Sequence, residues 1–67
     1  MQSPVHRARA RLNTVEEVMD RLRVGRSTAF ELIGTQQLRS VKVGRRRLVS
    51  ETALVEFIEA LDDENRG

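Results

Sequence analysis

The sequence predicts a mainly α fold with a small β-hairpin: three helices and a two-stranded wing. Three observations carry this expectation. Two short helical segments flank a turn at Arg23-Val24-Gly25, two β-prone segments surround Gly44-Arg45-Arg46, and a third helical pattern follows Ser50. Helix, turn, helix, hairpin and helix in that order make a winged helix-turn-helix, in which a helix and a neighbouring loop address adjacent grooves of a duplex.

Residues 1–11 have no amphipathic period and almost no apolar mass, so a flexible basic arm is expected there. Arg7, Arg9 and Arg11 alternate with small residues, a pattern suited to a phosphate backbone or to plain solvation. The first helix begins at a reciprocal capping box, in which Thr14 accepts from the backbone of Glu17 and the Glu17 carboxylate returns to Thr14. Val15, Val18, Met19 and Leu22 recur as one apolar stripe, and Glu16 joins Glu17 at the positive end of the helix dipole. Val24 is expected to fill the angle between the helices, with Gly25 supplying an unusual backbone angle or a weak N-cap.

The second helix should run from about Arg26 to Ile33 and stop near Gly34, its C-terminal glycine. Ala29, Leu32 and Ile33 form its inward face. Arg26, Ser27, Thr28, Phe30 and Glu31 fall outward or in the first turn. A guanidinium, two hydroxyls and free backbone N–H groups at one helix end are partners for phosphates and base edges. Ser27 and Thr28 can cap the helix as well.

Ser40-Val41-Lys42-Val43 and Arg47-Leu48-Val49 are the β-prone segments. A two-residue turn at Gly44-Arg45 pairs Val43 with Arg46. A three-residue loop pairs Val43 with Arg47 and Val41 with Val49; it buries more apolar surface and is the expected register. Either register leaves Arg45 and Arg46 at the tip. With Lys42 and Arg47 they form a basic wing aimed at phosphate or a minor groove. The third helix opens with Ser50 as N-cap and Glu51 in its first turn. Leu54, Phe57, Ile58 and Leu61 should close the core, while Glu56, Glu59, Asp62, Asp63 and Glu64 run into an acidic tail over 62–67.

Composition narrows the function. Sixty-seven residues allow one small domain, expected over 12–61, and no walled substrate pocket of ordinary size. The chain has no Cys and no Tyr, and its serines lack a base–acid constellation, so no catalytic residue and no enzyme is expected. His6 stands without a second ligand or carboxylate partner nearby, so neither a metal nor a cofactor is expected. With no membrane-length apolar run and no signal-peptide core, the protein is expected in the cytoplasm, away from membranes.

Charge is segregated along the chain. Residues 1–50 hold eleven Lys and Arg against four Asp and Glu, whereas residues 51–67 hold one against six. A basic front with an acidic end suits a molecule whose front meets a polyanion. Eleven of the twelve cations are arginine, the side chain that forks onto phosphate and guanine edges. Codon bias accounts equally well for that ratio, but not for the segregation.

Three stretches carry a resemblance in order and spacing: Leu12-Asn13-Thr14-Val15-Glu16-Glu17, then Val24-Gly25-Arg26-Ser27-Thr28-Ala29-Phe30 with Leu32-Ile33, then Val41-Lys42-Val43-Gly44-Arg45-Arg46. From Leu12 to about Leu61 the chain resembles the excisionase family of small MerR-like winged-helix proteins. The resemblance implies that the second helix enters the major groove of double-stranded DNA and the wing touches the adjacent minor groove. It places Arg26, Ser27 and Phe30 at DNA-contacting positions. Phe30 stands where the family commonly has Tyr, Glu31 where a basic residue is frequent, and Arg23 where the turn glycine is usual. These departures bear on base preference and turn geometry, not on the fold. The resemblance further implies a recombination directionality factor, an architectural protein of phages and mobile elements. Such a factor binds beside an attachment site with neighbouring copies of itself, bends the DNA and recruits a tyrosine integrase for excision. A small winged-helix transcriptional regulator would use the same domain and is the alternative reading.

Overall fold

Caps written into the sequence set where the helices start. The computed structural model describes residues 11–66, so the expected basic arm, Arg7 and Arg9 included, lies outside the described residues apart from Arg11. Helix α1 spans Val15–Leu22 behind the expected box: the Glu17 N–H donates to Thr14 Oγ1 at 3.1 Å and the Thr14 N–H to Glu17 Oε1 at 2.8 Å. Helix α2 spans Arg26–Gly34 behind Gly25, which offers no side-chain cap. Helix α3 spans Glu51–Glu64, and its Ala53 N–H donates to Ser50 Oγ at 3.1 Å. Asp62, Asp63 and Glu64 therefore form the last turn of a helix.

The sheet has three antiparallel strands in the order β1-β3-β2: β1 is Leu12–Asn13, β2 is Val41–Val43 and β3 is Arg46–Ser50. Strand β1, which the sequence pattern did not announce, sets Leu12 opposite Ser50 and Asn13 opposite Val49. The hairpin takes the tighter register, with Val43 opposite Arg46, Lys42 opposite Arg47 and Val41 opposite Leu48. The expected pairing of Val43 with Arg47 and Val41 with Val49 is thereby overturned. Turn geometry outweighs apolar burial here. Gly44, at φ 63°, takes the first central position of a two-residue turn whose twist matches the strands. The slip of register sends Val41 and Val43 to the face away from Val49, where they are 45% and 53% exposed.

Val15, Val18, Ala29, Ile33, Leu38, Val49, Ala53 and Leu54 are the buried core, with Met19, Leu22, Val24, Leu32 and Phe57 packed against it. Leu38 lies in the connection after α2, where periodicity is silent, yet it is fully buried; its N–H donates to the Leu32 carbonyl at 3.0 Å. Two expectations fail. Ile58 and Leu61 do not close the core but are 38% and 39% exposed, because α3 continues past the small globule that its first two turns cover. Gly34 does not end α2 as a left-handed cap: it is the helix's final residue, and the left-handed residue is Gln36 at φ 63°.

A polar knot ties β1, α1 and α3 together. Buried Asn13 donates from Nδ2 to the Val49 carbonyl at 3.3 Å and to Glu51 Oε1 at 3.1 Å. Arg21 forks onto both Glu51 oxygens at 2.8 Å, and the Glu51 N–H donates to the Arg11 carbonyl at 2.8 Å. The Arg21 guanidinium first, and Asn13 second, hold the Glu51 carboxyl down to about 2.

Candidate nucleic-acid interface

The turn aims α2. Arg23 adopts the left-handed conformation at φ 58°, ψ 47°, and the Val24 N–H donates to the Met19 carbonyl at 3.0 Å. Val24 then packs against the core, as its position in the angle requires. Because Ala29 and Ile33 are buried, the opposite strip of α2 is Ser27, Phe30, Glu31 and Gly34, at helical spacing and exposed. Arg26 and Thr28 are exposed in the first turn. Gly25 brings no side chain to the first-turn N–H groups, which leaves that end of α2 open to an anion.

Between the starts of α1 and α2 and the wing lies a cleft of about 370 Å³. Val15, Phe30 and Leu48 form its apolar part, Thr14 adds a hydroxyl, and Arg26, Arg45, Arg46 and Arg47 supply four guanidinium groups. Helix and hairpin residues far apart in sequence thus share one basic recess. Ser27, Thr28, Glu31 and Lys42 stand outside its lining, Lys42 directly across the hairpin from Arg47. Arg47 also reaches a second recess, shared with Ile33, Gln36, Leu38, Arg39 and Ser40, where its Nη1 donates to Ser40 Oγ at 3.4 Å. Arg39, which lines that recess, pairs with Glu56 of α3.

One acidic side chain enters the basic cleft. Glu16 Oε2 accepts from Arg26 Nη2 at 2.9 Å, and both side chains stay exposed. The Arg26 hydrogen bond is the main reason the Glu16 carboxyl lies below its ordinary range, with a helix N–H next and the charge of Arg46 adding to it. Local sequence accounts for Glu16 through the helix dipole alone. Its pairing is tertiary, across the angle between α1 and α2, and no local pattern marks it. Among the described residues no group of three or more His, Cys, Asp or Glu is placed to hold a metal ion. No helix among them is long and apolar enough to cross a membrane.

A family model described as a helix-turn-helix domain matches residues 14–62, which takes in the capping box, the turn, α2, the wing and most of α3. A protein of Streptomyces ambofaciens described as an excisionase is 48% identical over 48 residues, covering 72% of this chain and 77% of the relative. This chain belongs to the excisionase family of helix-turn-helix proteins. It is a DNA-binding member of that family, and its three helices with an antiparallel hairpin are the winged form of the fold. No solved structure matches the chain significantly.

Proposed function

We propose that α2 enters the major groove with Arg26, Ser27, Thr28, Phe30 and Glu31 while Lys42, Arg45, Arg46 and Arg47 of the wing lie along the adjacent minor groove. The observation that carries this reading is the shared cleft: Arg26 of the helix and Arg45, Arg46 and Arg47 of the wing surround one recess. The phosphate ridge between two grooves is a polyanion that four guanidinium groups around one recess suit. Phe30, lacking a hydroxyl, offers the DNA an apolar face only.

Bound this way beside an attachment site, with neighbouring copies in contact, the protein bends the DNA and directs a tyrosine integrase towards excision. It supplies architecture and no chemistry of its own. The test is a recombination assay on a supercoiled plasmid carrying the two hybrid attachment sites, with the cognate integrase and increasing amounts of this protein. Excision should rise with the protein and integration should fall. Unchanged recombination in both directions, with DNA binding intact, overturns the directional role and leaves a transcriptional regulator.

A further inference from the structure

We propose that Glu16 is a specificity-determining residue, whose carboxylate holds the Arg26 guanidinium in one orientation and withholds it from passing phosphates, so that the pair favours a base edge over bare backbone. The proposal rests on Arg26 being a DNA contact, and it adds what Glu16 does to that contact. Glu16 belongs to α1, a helix with no groove of its own to read, yet its side chain lines the cleft beside Arg26 and Arg46. It is the one carboxylate among the cleft-lining residues. If the cleft only gripped phosphate, a carboxylate there would oppose the grip.

Stability does not explain the pair, since exposed ion pairs contribute little and both partners here are more than half exposed. Geometry explains it better. With Nη2 engaged at 2.9 Å, the guanidinium is biased towards one direction, and its remaining N–H donors then point as a set. A guanine edge accepts two donors at a fixed spacing, whereas a phosphate accepts a donor from many directions. An unbraced arginine satisfies itself on any phosphate; a braced one gains most where a base edge meets it. Arg45 and Arg46, which form no ion pair with a carboxylate among the described residues, remain the backbone contacts.

The experiment compares Glu16→Gln, Glu16→Asp, Arg26→Ala and the double variant Glu16→Gln/Arg26→Ala with the unaltered protein, by fluorescence anisotropy across a salt series. The probes are a duplex enriched from a random pool by the unaltered protein and a scrambled duplex of the same composition. Circular dichroism confirms that each variant is folded. Glu16→Gln should tighten binding to the scrambled duplex by roughly 3–10-fold and steepen its log–log salt slope by about 1, as a freed arginine takes a phosphate. Binding to the enriched duplex should not tighten. Glu16→Asp, which keeps the charge on a shorter arm, should lose discrimination as Glu16→Gln does, and the gain on the scrambled duplex should vanish in the double variant. An equal gain on both duplexes, or full discrimination in Glu16→Asp, overturns the proposal. Should Arg26→Ala bind the enriched duplex as tightly as the unaltered protein, the assignment of Arg26 to DNA fails and the proposal fails with it. Should Arg26→Ala weaken that duplex while Glu16→Gln leaves the ratio unchanged, only the role of Glu16 fails.

Discussion

Arg23 and Gln36 hold left-handed backbone at φ 58° and φ 63° on side chains that disfavour it, while Gly34, which could take such a conformation freely, is the last residue of a helix. Each mismatch has a calculable effect. A non-glycine residue in that region costs roughly 1–2 kcal/mol, and glycine loses roughly 0.5–1 kcal/mol more chain entropy on folding than alanine. Arg23→Gly should therefore stabilise the domain by about 0.5 kcal/mol. Gly34→Ala should add a similar amount, because a Cβ there meets nothing within 4 Å. In thermal denaturation each should raise Tm by about 2–4 °C, given the small enthalpy of a domain this size. A fall in Tm for Arg23→Gly would show that its side chain makes a contact worth more than the backbone strain.

Two elements divide the work of folding and binding, and they can be separated. The wing tip makes no contribution to the core: Arg45 and Arg46 are exposed, and the turn is set by Gly44. Changing both arginines to alanine should leave the circular dichroism spectrum and Tm unchanged, weaken binding to enriched and scrambled duplexes alike, and flatten the salt slope by about 2. Sequence-selective loss would instead mean that the tip reads bases. The knot joining β1, α1 and α3 acts on folding. Glu51 titrates at about 2 in the folded chain against an ordinary value of 4.5, so the folded state favours its charged form. That contribution is complete above the unfolded value and is lost as pH falls from about 5 towards 2. Urea denaturation should show stability declining over this window, with Glu16 and Glu17, also lowered, acting in the same direction. Glu51→Gln should cost on the order of 2 kcal/mol at pH 7 and flatten the decline. Elements with local causes were legible before the structure: the Thr14 box, the Ser50 cap and the apolar stripe of α1 each lie within one or two turns. What escaped was tertiary. Strand β1 exists because β3 lies beside it, Leu38 is buried by the helices around a loop, and Glu16 meets Arg26 across an inter-helix angle. The hairpin register is readable in principle, since Gly44 favours a two-residue turn, but the alternating valines favour the three-residue-loop register and mask that signal.

Across the whole molecule, charge and shape point the same way. Arg26, Arg45, Arg46 and Arg47 surround the cleft between the α2 start and the wing, whereas α3 carries Glu59, Asp62, Asp63 and Glu64 beyond the last core contact at Phe57. If the basic face neutralises about 5–6 phosphates per copy, log affinity should fall against log salt with a slope near −5. A slope near zero would remove the cleft from the DNA interface. The far end of α3 poses a different question. Phosphate repels its carboxylates, so it should face away from bound DNA, and its exposed Ile58 and Leu61 lie beside those acids with no core to cover. An apolar strip edged with negative charge suits a basic protein surface, on a neighbouring copy or on the integrase. Deleting residues 62–67 removes the acidic turn and no buried side chain, so Tm should move by less than about 3 °C. Affinity for a single site should hold or rise slightly, because the net charge becomes more positive. Cooperative filling of adjacent sites, read from footprint titrations, should decline, and integrase-dependent excision should decline with it. If the truncated protein fills adjacent sites as steeply as the full chain and supports excision equally, the end of α3 only keeps the protein dispersed in water, and contacts between copies run through the exposed Val41 and Val43 face of the wing or another surface.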